Sequence, residues 1–123
     1  PMRCVTPYAS SHPWEDWAET WAHYLHMADT LDTAFSFGMD ASSVELSADL
    51  FTPADLWRSD LPGAARFLDF LNTWVRLTGV LNELSRSMGQ HDFYPFVLPR
   101  AAVPKLQFIH ELVARQRSGE PMP

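Results

Sequence analysis

A chain of 123 residues has room for one domain with a real hydrophobic core. A net charge of −6, with the nine Lys and Arg scattered, excludes the basic footprint of a nucleic-acid binder and argues against an anionic membrane surface. The single cysteine, Cys4, excludes a disulfide framework within one chain and points to a reducing, cytoplasmic home; no apolar run approaches the ~20 residues of a membrane span.

The opening Pro1-Met2-Arg3-Cys4 carries no signal peptide and reads as the cut edge of a longer protein or a cloning product. Residues 1–12 show no periodicity and are expected to be an extended lead-in. A first helix is expected from Pro13, where a missing N–H costs nothing, with Glu15 and Asp16 favouring the positive end of its dipole. Its apolar stripe runs Trp14, Trp17, Ala18, Trp21, Tyr24, Leu25, Ala28, Leu31 and Phe35 in steps of three and four. Asp32 falls on that apolar face, which predicts a buried hydrogen-bonding residue or the end of the helix; Gly38 is the expected stop. Residues 39–51 read as a loop. Thr52-Pro53-Ala54-Asp55 is a helix-start signal, predicting a short helix to about Ser59 before Pro62-Gly63 breaks it.

A second long helix is expected over Ala64–Met88, with Phe67, Phe70, Leu71, Trp74, Leu77, Leu81 and Leu84 on one side and Gly89 ending it. Residues 90–100 read as an extended segment lying on the helices. A last helix is expected over about Ala101–Gln116, with Pro104 in its first turn. The fold predicted is all-α: two long antiparallel helices, with shorter helices and the extended segment across them, in a single domain over 1–123.

One face of the first helix gathers His12, Glu15, Glu19, His23 and His26 within an arc of about 80°. Converging His and Glu on neighbouring turns can serve a metal, and a solvated polar face has the same spacing. A di-iron bundle site fits poorly, because neither Glu15 nor Glu19 is followed by a histidine three residues on, and the second helix offers only Glu83. His23-x-x-His26 is no zinc motif by itself, and the sequence contains no H-E-x-x-H. It contains no glycine-rich phosphate loop or nucleophile elbow either.

Tyr8-Ala-Ser-Ser-His-Pro-Trp-Glu-Asp-Trp-Ala-Glu-Thr-Trp-Ala-His-Tyr-Leu-His26 resembles a bacterial family of gluzincin-like zinc metallopeptidases. The resemblance continues through Asp29–Ala34, Leu81–Gly89 and Asp92–Leu98. It implies that the chain is the C-terminal part of a longer zinc peptidase whose H-E-x-x-H helix lies upstream. By the same resemblance, Glu15 would be the third zinc ligand, Glu19 would orient a ligand histidine, and Tyr8 would hydrogen-bond the developing oxyanion. The whole protein would then cleave a peptide or protein substrate, while this chain alone would be inactive. A non-enzymatic helical interaction module is the alternative. An uncovered aromatic face predicts that the isolated chain forms a homodimer.

Overall fold

The computed structural model describes residues 13–39, 50–93 and 98–119. Three helices pack together: α1 (Pro13–Ser36), α2 (Ala64–Ser87) and α3 (Val103–Ser118). Short 3-10 turns lie at Pro53–Asp55 and Arg100–Ala102. The described residues contain no strand, and none of their helices is long and apolar enough to cross a membrane. The lead-in over 1–12, residues 40–49 and 94–97 and the last four residues lie outside the described part.

The helix stops follow from glycine. Gly38 and Gly89 adopt φ of 78° and 73°. Each lets the next N–H reach back five residues, Met39 to the Ala34 carbonyl and Gln90 to the Ser85 carbonyl, both at 2.9 Å. That contact satisfies a carbonyl the helix would otherwise leave unpaired. The short helix expected after Thr52 does not form beyond one 3-10 turn. The Asp55 carboxylate instead accepts from the Thr52 N–H at 2.8 Å and from Arg100 at 2.7 Å, and Leu56 is already extended.

Met27 of α1, Phe67 and Leu71 of α2, and Val103, Leu106 and Ile109 of α3 have no exposure, so all three helices share one core. Burying side chains of this size stabilises by roughly 1.5–3 kcal/mol each, which outweighs the helix propensities. The packed edge of α1 is rotated from the expected stripe. Asp16, Thr20, Tyr24, Met27 and Leu31 are buried, whereas Leu25 and Phe35 are 50% and 60% exposed. Thr20 tolerates the interior because its hydroxyl donates to the Asp16 carbonyl at 2.7 Å.

The two long helices, α1 and α2, touch at several places. Tyr24 meets Phe70 at 5.6 Å, Leu31 shares a small void with Thr73 and Leu77, and Phe37 lies in a groove with Leu81 and Phe93.

Two amide side chains pin the connection between α1 and α2. The Asn72 Oδ1 accepts from the Phe51 N–H at 2.9 Å, while its Nδ2 donates to the Phe51 carbonyl at 3.0 Å. Gln107, fully buried on α3, does the same for Arg58, at 3.0 and 2.9 Å. Each amide satisfies both backbone groups of one loop residue, as burial requires.

Candidate metal wall on the first helix

Glu15 lies in the first turn of α1 and Glu19 one turn later. Tyr8 and His12 lie outside the described residues, as does the side chain of Glu15. Glu19 is half-exposed.

The two histidines of the same face part company. His23 is half-buried, with its ring edge-on to Trp74 at 6.2 Å and 86°. Burial, reinforced by the neighbouring His26, lowers its pKa from 6.5 to about 4, so the ring is neutral at pH 7. His26 is exposed. His23 therefore serves packing between α1 and α2. The described residues bring together no group of three His, Cys, Asp or Glu able to hold a metal ion. A catalytic zinc takes three protein ligands and an open position. The described residues do not make a whole zinc centre, and the candidate wall is one helix that carries Glu15 and Glu19.

That wall is firmly mounted. Asp16, beside Glu15, points inward at 5% exposure and pairs with Lys105 of α3. Among the described residues its Oδ1 has no hydrogen-bond partner. Trp17 packs edge-on to Phe108 at 5.8 Å, and Trp57 meets the same ring at 5.4 Å. Helix dipole considerations alone explain an Asp at position 16; they do not foretell its burial or its partner on α3.

A second polar pair lies deeper. The Tyr24 hydroxyl is 2.9 Å from Nδ1 of His110, whose ring lies 5.1 Å from Phe67 and 6.0 Å from Phe70. Burial lowers the His110 pKa and raises that of Tyr24, so both are neutral at pH 7. The readable signal was a histidine one step from Ile109 on an otherwise apolar arc. Asp32 corrects the earlier expectation: α1 continues past it and the side chain is exposed, because the buried seam has turned away from it.

Residues 1–112 match the model of the family described as "Putative zinc-binding metallo-peptidase". An uncharacterized protein of Mycobacterium tuberculosis and one of Mycobacterium bovis are each 41% identical to the chain over 109 residues. That alignment covers 89% of this chain and 29% of either relative. The chain thus spans under a third of the length of these curated relatives. No solved structure matches it.

Proposed function

The chain belongs to this zinc-binding metallopeptidase family, and we propose that it forms the wall carrying the third zinc ligand of a longer peptidase. Glu15 is the ligand, Glu19 orients a ligand histidine, and Tyr8 donates a hydrogen bond toward the attacked peptide carbonyl. The remaining ligands and the general base belong to an H-E-x-x-H helix supplied elsewhere in the whole protein. Peptide hydrolysis is the activity of that whole protein, and this chain alone is inactive.

One observation carries the reading. Glu15 and Glu19 stand one turn apart at the end of α1 that Asp16, Lys105 and Trp17 hold against α3. A ligand must be presented by a rigid element, because a misplacement of about 1 Å loosens a metal site. A Glu-x-x-x-Glu pair on a fixed helix suits that need, with the second carboxylate one turn from the first.

The test is metal analysis with a peptidase assay on this chain and on a full-length family member. Glu15→Gln at the matching position should lower zinc occupancy and turnover steeply. Glu19→Gln should cost about 10–100-fold, as expected for a group that orients a ligand. Unchanged zinc content in the Glu15→Gln protein would remove the ligand assignment. Zinc-dependent cleavage by this chain alone would remove the claim that it is inactive.

The interaction-module alternative is favoured by a different observation. Phe37 and Met88 are 81% and 71% exposed, and Phe93 and Leu84 are each 55% exposed. Helix ends this apolar invite a second surface.

A further inference from the structure

A cleft of about 310 Å³ opens where α1, α2 and α3 meet, away from the candidate metal wall. Its volume lies at the lower end of small-ligand pockets, and sites between bundle helices are common. Five ionic side chains line it: Asp29 and Asp32 from α1, Arg66 and Asp69 from α2, and Arg117 from α3. Among the described residues none of the five makes a salt bridge. Elsewhere Arg58, Arg86, Arg100, Lys105 and Arg115 each hold a carboxylate. Arg66 and Asp69 even have the helical spacing at which opposite charges pair, yet they stand apart.

The rest of the lining is apolar or neutral. Leu25 and Phe35 form a half-exposed rim, and Phe70 and Val113 line the wall. Tyr24, whose hydroxyl is bound to His110, contributes a phenol. Arg66 and Arg117 both lie near enough to His110 to disfavour its protonation, and Arg117 and Asp32 both act on Tyr24. Arg66, Arg117 and Asp32 therefore lie within electrostatic reach of that neutral pair. Unpaired guanidinium groups suit a carboxylate in the planar, forked manner of arginine. Unpaired carboxylates suit an ammonium, and the apolar surface suits a hydrocarbon side chain.

We infer that this cleft binds a free α-amino acid with an apolar side chain, its carboxylate held by Arg66 and Arg117 and its ammonium by the aspartates. The inference does not rest on the peptidase reading. Asp32 lies about 25 Å along the helix axis from Glu15, at 1.5 Å per residue, and binding is measured on this chain without metal.

The experiment is titration of the chain with L-leucine, N-acetyl-leucine and leucinamide, followed by calorimetry and by amide chemical shifts. Saturable binding of leucine is expected, with shifts at residues of the cleft. Blocking the amine or the carboxylate should each weaken binding about tenfold or more. Arg117→Gln and Arg66→Gln should do the same, while Arg76→Gln, on α2 outside the cleft, should bind as the parent does. Absence of saturable leucine binding would overturn the inference. So would equal binding of N-acetyl-leucine, which would make the cleft a plain anion site, or of leucinamide, which would make it a cation site. Equal binding by both arginine variants would overturn it too. The ligand series decides the matter even if a variant fails to fold, and a zinc-free parent of the peptidase reading can fail while this binding stands.

Discussion

The two ends of the helical bundle differ in how they are finished. At the start of α3, Val103, Leu106 and Gln107 are wholly enclosed, and Gln107 satisfies both backbone groups of Arg58. The adjoining turns of α1 are held there by Asp16 on Lys105 and by Trp17 on Phe108. At the far ends of α1 and α2, Phe37 and Met88 stand largely in solvent. The helices terminate there on glycines with little side-chain cover. Glu15 and Glu19 sit on the closed end. A carboxylate that must meet a metal in one geometry belongs on such a support, whereas the open end has the character of a docking surface.

The sharpest way to break this contrast is to cut the core at the closed end. Leu106→Ala should cost about 2–5 kcal/mol in urea unfolding, because Leu106 has no exposure and its removal leaves a cavity. For a domain whose whole stability is about 5–15 kcal/mol, that is a large share. A cost below about 1 kcal/mol would mean that the α3 start is not the anchor.

Next in size is the amide clamp. Gln107→Leu keeps the volume close to the original but leaves the Arg58 N–H and carbonyl without their partner. A loss of about 1–3 kcal/mol is expected. The amides of residues around Arg58 should also exchange faster with solvent, and unchanged exchange would show that the clamp is decorative. Gln107 also marks the limit of what the sequence discloses. The three- and four-residue apolar spacing predicts all three helices, and glycine predicts the stops of the first two. Periodicity cannot tell that a polar residue beside Leu106 is the partner of a loop 49 positions away in sequence. Nor could it orient α1. Trp17, Trp21, Leu25 and Phe35 make its apolar arc wider than one packing seam, so the choice of the Asp16–Thr20–Met27 edge depends on where α3 lies. Asp32 was misread for that reason. Of the candidate site, the sequence offers Glu15 and Glu19 one turn apart on α1, and their roles rest on the proposal above. A metal site assembled from several elements leaves only a fraction of its pattern in any one of them.

A smaller effect comes from acid. The folded state holds the His23 pKa at about 4 against 6.5 for the free side chain, through burial and then His26. The unfolded chain therefore takes up a proton that the folded chain refuses. Stability from this group is fully present above pH 6.5 and is lost as pH falls from 6.5 toward 4. His110, also lowered by burial, acts in the same direction. Because His23 is only half-buried, the expected loss from that ring is discounted to about 1–2 kcal/mol. Thermal unfolding at pH 7 and pH 4.5 measures it, and His23→Gln should narrow the gap between the two. An equal gap in that variant would assign the acid sensitivity to other groups.

The smallest effect on stability is expected at the open end, and there it is most informative. Met88 and Phe37 lose little contact when replaced, so Met88→Gln and Phe37→Ser should each change unfolding free energy by no more than about 0.5 kcal/mol. Association is another matter. We propose that the chain self-associates through this end, since Phe37, Met39, Leu81 and Phe93 border one apolar groove of about 370 Å³. Side chains at the centre of an interface dominate its energy, so the two substitutions together should shift the species seen by sedimentation toward monomer at high concentration. The helix content should stay the same. A parent chain that sediments as a monomer throughout would remove the homodimer. A dimer indifferent to both substitutions would move its interface away from the open end. If dimer and stability fell together, the open end would prove to be part of the fold's support, and the contrast between the two ends would disappear.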